Sequence, residues 1–216
     1  MTSWVIECNG RIKMTEFKFD PTIVAEKDPI KNFKGQMAKW ARYTKSKYEI
    51  AKDINPDIIV EIGVRAGYSA WALLQANPDA KYYGFDANLI KSIPSARGGP
   101  WSPVAEEMLK SRGYTVKMWH DFNSQTSKKL PIRPNKKYTT LYHIDGEHTV
   151  KGVKNDLDLC FKNGHPGSFM LVDDYNSGPS KVVKQGTDQW IAAHKGLIQT
   201  KHFPNSGNGD MLIKIL

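Results

Sequence analysis

Acidic side chains follow several short apolar segments of the sequence, each at the point where a segment ends. Asp86 closes one segment, Asp145 and Glu147 follow another, and Asp173 with Asp174 follows a third. Because residues that follow parallel strands gather at one edge of a sheet, we expect these carboxylates to lie close together. Grouped negative charge is costly unless a cation or a hydroxyl-rich ligand meets it. The pattern therefore predicts a binding edge for such partners.

A turn with two glycines follows the first of these apolar segments. Gly63 allows a ligand to approach the backbone closely, and the turn that ends at Gly67 directs helix N–H groups at an anion. Glu61 can attract an ammonium group. Asp86 can accept both hydroxyls of a ribose, although a nicotinamide nucleotide would use an acid there too. The turn lacks the spacing of a dinucleotide GxGxxG site and the Lys-Ser/Thr of a phosphate-binding loop. A tight turn with no ligand is the alternative.

The elements that must position these residues alternate between short β-branched segments and amphipathic segments with helical spacing. This alternation predicts parallel strands joined by right-handed helical crossovers, and an antiparallel pair closes the chain. We therefore predict the α/β class, with a Rossmann-like, doubly wound, seven-stranded sheet in a three-layer αβα sandwich and an antiparallel last strand. The predicted strands are 58–62, 81–86, 114–119, 138–144, 168–172, 197–203 and 210–216, and the predicted helices are 31–53, 68–76, 104–112, 150–161 and 179–194.

The chain of 216 residues is expected to form a single globular unit. We assign residues 57–216 to the α/β domain and residues 1–56 to an N-terminal segment with a cap helix, which serves as a cap or as an oligomer contact. No apolar run is long enough to cross a bilayer, and residues 1–10 show no secretory signal. Cys8 and Cys160 lack metal-ligand spacing, as two free thiols would. These features predict a cytoplasmic protein without a membrane partner.

Residues 60–69 resemble the class I S-adenosylmethionine-dependent methyltransferases, and the form Glu-Ile-Gly-x-x-x-Gly-Tyr-Ser resembles their small-molecule O-methyltransferases. The resemblance covers residues 57–176. It implies that residues 57–216 form the methyltransferase domain, that S-adenosylmethionine is the cofactor and that a small molecule with a hydroxyl is the acceptor. It also implies that Asp86 holds the ribose and that Asp121 contacts the adenine. The cofactor-binding residues implied are Glu61, Gly63, Gly67, Tyr68, Ser69, Asp86, Asp121 and Asp145.

Residues 143–148 and 171–175 resemble one branch of these enzymes, which includes macrocin and aminocoumarin O-methyltransferases and cephalosporin-hydroxylase-like proteins. The resemblance implies that Asp145, Asp173 and Asp174 bind one Mg²⁺. Carboxylate oxygens suit Mg²⁺, which keeps waters and accepts substrate oxygens as its remaining ligands. The ion would lower the pKa of the acceptor hydroxyl. The alternative is that these residues cap the helices that follow the strands.

Two residues are candidates for the catalytic base. In the branch with the metal site, the acid two positions after the first metal-binding Asp is the base, and that position is Glu147. The catechol-type relatives use a Lys one position later, where this chain has His148, so a catechol acceptor is not expected. Either side chain can take a proton near neutral pH, and the sequence leaves the choice open.

The formal net charge of +9 keeps RNA or another polyanion as an alternative acceptor. Three features favour a small molecule. The lysines are spread along the chain, the fourth strand ends in Ile-Asp-Gly rather than in Asn/Asp-Pro-Pro-aromatic, and the spaced Lys-Asp-Lys-Glu set of ribose methyltransferases is missing. A relative of the cephalosporin-hydroxylase branch that transfers no methyl group is a further alternative.

Residues 93–103, expected to form a loop, and residues 175–180 would shape the acceptor pocket. Neither the acceptor nor a homo-oligomer follows from the sequence.

Overall fold

The computed structural model describes residues 17, 33–88, 101–176, 181–206 and 208–216. Most of the expected loop at 93–103, the expected irregular N-terminal residues and Cys8 lie outside this part of the chain. The helices are α1 (Phe33–Ile54), α2 (Tyr68–Ala76), α3 (Ser102–Ser111), α4 (Val150–Asn163) and α5 (Val182–Ala193). The strands are β1 (Ile58–Ile62), β2 (Lys81–Phe85), β3 (Val116–Trp119), β4 (Thr140–Ile144), β5 (Phe169–Val172), β6 (Ile198–Phe203) and β7 (Asp210–Ile215).

The described strands form one seven-stranded sheet in the order β3-β2-β1-β4-β5-β7-β6. The first five strands pair in parallel, and β7 lies antiparallel between β5 and β6. The strand order reverses between β1 and β4, which places the crevice of a doubly wound sheet beside these two strands. The predicted fold class is therefore confirmed, including the antiparallel last strand.

Two apolar clusters pack on opposite faces of the sheet. Ile59 of β1 packs with residues of α1, α2 and α3, whereas its neighbours Ile58 and Val60 pack with residues of α4 and α5. All residues of β1 and β4 are buried, as expected for central strands covered by helices on both faces. Because side chains alternate along a strand, Glu61 faces the same side as Ile59, toward α1, and this placement matters for the site.

The predicted bounds agree with the observed ones for β1 and α2 and differ at several other ends. The clearest difference is at α3, which begins at Ser102 where a loop was expected. Pro103 occupies the first turn of this helix, a position where its missing N–H costs nothing. The assignment of residues 1–56 to an N-terminal segment with a cap helix and of residues 57–216 to the α/β domain stays a prediction. Cys160 is a buried free thiol. Among the described helices, none is both long enough and apolar enough for a membrane crossing.

Candidate functional site at the carboxyl edge of the sheet

Four residues that follow neighbouring parallel strands stand side by side at one edge of the sheet. The backbone N–H groups of Gly63, Asp86, Asp145 and Asp173 each donate to a carbonyl of an adjacent strand, at distances of 2.8 to 3.0 Å. These bonds continue the sheet ladder by one residue and hold the four positions in line. The expected gathering of strand-end carboxylates therefore occurs, and the glycine turn belongs to the same edge.

The glycines of the turn after β1 are required by backbone geometry. Gly63 and Gly67 have φ angles of +86° and +81°, in the left-handed region that side chains disfavour. A β-carbon on Gly63 would lie 1.9 Å from the carbonyl oxygen of Asp145, and one on Gly67 would lie 2.9 Å from the β-carbon of Ala105. The turn thus packs without side chains against the residue that follows β4 and against α3.

Asp86 joins two turns at this edge. Its carboxylate accepts the backbone N–H of Arg65, in the turn after β1, and the backbone N–H of Asn88, both at 2.7 Å. The side chain of Asp86 is half-buried. Asp121 is exposed and is the second residue after the end of β3. The next residue, Phe122, donates its N–H to the carbonyl of Asp86 at 3.0 Å. The two residues implied for the ribose and the adenine therefore lie in adjacent segments, and their roles stay predictions.

Glu61 is enclosed by donors from the chain itself. The side chain is fully buried, and its carboxylate accepts hydrogen bonds from the hydroxyls of Ser69 and Tyr82. His143 Nδ1 lies 2.9 Å from the same carboxylate. Tyr68 and Ser69, implied to bind the cofactor, begin α2 and are also buried. The oxygens of Glu61 are thus occupied by donors of the chain, and its role toward the cofactor stays a prediction.

His143 connects Glu61 to the carboxylate edge. Burial lowers the pKa of this imidazole, but the hydrogen bond and charge of Glu61, with the charge of Asp173, more than offset that effect, so the pKa of His143 is raised. Its Nε2 lies 3.8 Å from Asp173 Oδ2 and has no hydrogen-bond partner in the part of the chain that the structure describes. Sequence reasoning did not assign His143 a role.

Asp173, one of the three residues implied to bind Mg²⁺, is already neutralised by a lysine. The Lys47 ammonium lies 2.7 Å from Asp173 Oδ1, and the hydroxyl of Tyr43 donates to Oδ2. The backbone N–H of Asp174 also donates to Oδ1, at 2.7 Å. Burial alone would raise the pKa of Asp173, but the charge of Lys47 holds it well below its usual range.

Lys47 has a second buried carboxylate as a partner. It contacts Asp210, the first residue of β7, and Ser206 links Asp210 to Ser46 of α1. Burial lowers the pKa of Lys47, but the charges of Asp173 and Asp210 raise it above its ordinary value. Burial raises the pKa of Asp210 to about 7. Sequence reasoning missed these residues, although the position of Lys47 on the buried stripe of α1 could have revealed it.

The ligand atoms of Asp145, His148 and Asp174 all lie within 4.8 Å of one another. His148 Nε2 is 3.2 Å from Asp145 Oδ1, and its Nδ1 is 4.0 Å from Asp174 Oδ2. Asn208 donates to the other oxygen of Asp174 at 2.6 Å. The structure therefore brings Asp145 and Asp174, two of the three implied metal ligands, together with His148. The N-cap residues of the two helices that follow these strands are Thr149 for α4 and Lys181 for α5, so neither carboxylate is the N-cap residue.

The two candidate bases differ in their surroundings. The hydrogen bond to Asp145 raises the pKa of His148 to about 9, so its imidazole carries a proton at neutral pH. Burial and the charge of Asp173 raise the pKa of Asp145 to about 6. Glu147 is half-buried, and its side-chain carbons pack over Gly152 of α4. Its carboxylate makes no hydrogen bond or ion pair within the described residues, which leaves it the freer proton acceptor.

The chain is similar to known methyltransferases in both sequence and fold. A family model described as "Methyltransferase domain" matches residues 60–175. No curated protein matches the sequence. The fold is similar to that of the O-methyltransferase TomG from Streptomyces achromogenes, solved with S-adenosylmethionine (TM-score 0.58, 17% identity, 81% of this chain and 80% of that one). It is also similar to that of an O-methyltransferase from Bacillus cereus, solved with S-adenosylhomocysteine (TM-score 0.55, 14% identity, 80% of this chain and 80% of that one). A protein from Corynebacterium glutamicum has a similar fold as well (TM-score 0.61, 12% identity, 92% of this chain and 91% of that one).

Proposed function

The chain belongs to the methyltransferase-domain family, and on that premise we propose that it transfers the methyl group of S-adenosylmethionine to a hydroxyl of a small molecule. Two structural neighbours are described as O-methyltransferases in complex with S-adenosylmethionine or its product, which supports this choice of cofactor and reaction. At 17% and 14% identity these neighbours establish a shared fold and not a shared acceptor. The class of acceptor is therefore our proposal.

One observation carries the proposal: the turn at Gly63 packs directly against the residue that follows β4. The backbone of the cofactor-binding turn and the acidic segment that begins at Asp145 are thus in contact across one edge of the sheet. A cofactor that lies along the turn, with its ribose at Asp86, would present its methyl group to an acceptor at Asp145 and Glu147. Such a fixed arrangement accelerates transfer mainly by aligning the acceptor oxygen with the methyl group.

We further propose that a divalent cation assists the reaction, with Asp145 and Asp174 among its ligands. Mg²⁺ is the ion that the sequence resemblance implies, and when bound it would lower the pKa of the acceptor hydroxyl. Glu147 then takes the proton, because its carboxylate has no partner within the described residues. His148 is the alternative base. Because its hydrogen bond to Asp145 favours the protonated imidazolium, it must lose that proton before it can accept one from the acceptor hydroxyl.

Calorimetry with S-adenosylmethionine and S-adenosylhomocysteine tests the cofactor assignment. We expect both to bind the purified protein at micromolar concentrations. The reaction is then tested by following S-adenosylhomocysteine formation with a panel of hydroxylated small molecules, before and after treatment with EDTA. Turnover that EDTA abolishes and Mg²⁺ or Mn²⁺ restores would support metal assistance. If neither cofactor form binds, the proposed function is wrong, and full turnover in EDTA would remove the cation from it.

A further inference from the structure

Lys47 is a fully buried cation inside the edge of the sheet that carries the candidate site. It belongs to α1, and α1 precedes the residues that match the family model. The ammonium contacts Asp173, 126 positions later in the chain, and Asp210 at the start of β7. A buried lysine of this kind is rare unless carboxylates meet it, and here two of them do.

The contacts of Asp173 leave little room for a metal ion. Oδ1 accepts from Lys47 and from the backbone N–H of Asp174, and Oδ2 accepts from Tyr43. A divalent ion bound to either oxygen would stand close to the Lys47 ammonium in a site that water does not reach. The repulsion between the metal ion and the ammonium would be strong, because charges inside a protein are only weakly screened by solvent. The three-carboxylate arrangement therefore does not fit this chain.

Resting on the proposed function, we infer that Lys47 is the built-in counter-ion of Asp173 and takes the place that a metal ion would have there. α1 is thereby part of the methyl-transfer edge, and Lys47 is a positioning residue that acts through Asp173. A divalent cation that binds this protein is held by Asp145, His148 and Asp174, without Asp173. Because an imidazole replaces a carboxylate, this set suits first-row transition-metal ions better than Mg²⁺. Mn²⁺, which also accepts carboxylate oxygens, is the ion used to test it.

The first experiment measures Mn²⁺ and Mg²⁺ binding to the full chain by calorimetry, without cofactor or acceptor. Asp173→Asn keeps the shape of the side chain and removes its charge, and Asp174→Asn makes the same change at a proposed ligand. We expect Asp173→Asn to bind Mn²⁺ within twofold of the wild type and Asp174→Asn to bind it at least tenfold more weakly. Exposed Asp79→Asn serves as the matched control with unchanged binding. A tenfold loss in Asp173→Asn would overturn the inference.

The second experiment removes the ammonium with Lys47→Met. The two carboxylates then lack their cation, so we expect a lower unfolding temperature and Mn²⁺ binding at least tenfold tighter than in the wild type. A purely structural ion pair would not change the cation affinity. The double variant Lys47→Met/Asp173→Asn, which removes both charges, should regain at least half of the lost unfolding temperature.

Two results would contradict the inference. One is a double variant that unfolds at no higher temperature than Lys47→Met, and the other is a Lys47→Met variant that binds Mn²⁺ with the same affinity as the wild type. Should Lys47→Met not fold, the double variant and Asp173→Asn decide the question. None of these measurements uses S-adenosylmethionine. A failure of the proposed function, seen as absent cofactor binding, is therefore distinguishable from a failure of this inference.

Discussion

The α-carbon of Gly63 faces the backbone carbonyl of Asp145, so that no side chain fits between the residues that follow β1 and β4. The contact joins the turn implied to bind the cofactor to the segment implied to act on the acceptor. Because both partners are backbone groups next to a hydrogen-bonded ladder, neither can move without disturbing the sheet. The relative position of the two halves of the site is thus set by the core of the fold.

Gly63→Ala is expected to damage both stability and cofactor binding. Gly113→Ala is the matched control, since Gly113 has nearly the same φ of +87° but no atom within 4 Å of an added β-carbon. The control should lose about 1 kcal/mol of unfolding free energy from the left-handed backbone alone. Gly63→Ala should lose roughly 3 kcal/mol or more, because backbone must shift as well. Urea unfolding measures both, and equal losses would show that the contact with Asp145 is unimportant.

Asp86→Asn should weaken S-adenosylmethionine binding at least tenfold, or about 1.4 kcal/mol. The substitution removes the charge that a ribose would meet and one acceptor for the N–H groups of Arg65 and Asn88. Calorimetry with the cofactor measures the change, and Asp79→Asn, in an exposed turn, is the control. If the two variants bind the cofactor equally well, Asp86 does not contact it.

Glu147→Gln should lower kcat by about 10²- to 10⁴-fold, the usual contribution of a general base, and leave cofactor affinity within twofold. The exposed Glu107→Gln on α3 makes the same chemical change away from the edge and should retain full turnover. Steady-state kinetics with an accepted substrate and calorimetry together give this comparison. If kcat is near normal in Glu147→Gln and is strongly reduced in His148→Ala, the base is His148 rather than Glu147.

Asp156 should make the stability of the protein depend on pH. Burial raises the pKa of this carboxyl from 3.8 to about 6. The folded state therefore binds this proton more tightly than the unfolded state does. The contribution of Asp156 to stability is thus full below pH 4 and is lost as the pH rises to about 6. The fall amounts to about 3 kcal/mol. Asp156→Asn lacks this titration, and its unfolding free energy should rise relative to the wild type over that range.

Urea unfolding of the wild type and Asp156→Asn at several pH values between 4 and 7.5 measures this difference. The amide loses part of the bonding to Gln125 and to the backbone N–H of Glu147, which lowers stability by a constant amount. Only the pH-dependent part of the difference in unfolding free energy between the two proteins reports on the titration of the Asp156 carboxyl. A difference between the two proteins that stays constant with pH would show that Asp156 titrates normally.

The strands and the cofactor turn were predictable because local signals carry them. The four β-branched residues of β1, which lies between turn residues, define a buried strand, and the glycines mark the turn that follows. The order of strands and helices then places the strand-end acids together through topology alone. The start of α3 at Ser102 was not predicted, because a Pro- and Gly-rich neighbourhood suggests a loop even where Pro103 opens a helix.

The pairing of Lys47 with Asp173 was not predictable from local patterns, since 126 positions separate the two residues. A lysine on an amphipathic helix ordinarily faces solvent. The signal that was present is positional: Lys47 lies among Thr44, Tyr48 and Ala51, all on the buried face of α1. The resemblance implies a metal ion at Asp173, and in the structure the Lys47 ammonium contacts that carboxylate.

The placement of β7 has a consequence for the order in which the molecule assembles. Among the described strands, β6 is the edge strand and pairs with β7 alone, so it has no partner in the sheet until β7 has been synthesised. Asp210, the first residue of β7, is also one of the two carboxylates that meet Lys47. During synthesis on the ribosome, α1 thus emerges long before its charge can be buried. We therefore expect the pairing of β7 to close the sheet and to complete the burial of Lys47 in one step, and a chain interrupted before β7 would leave β6 unpaired and Lys47 without Asp210.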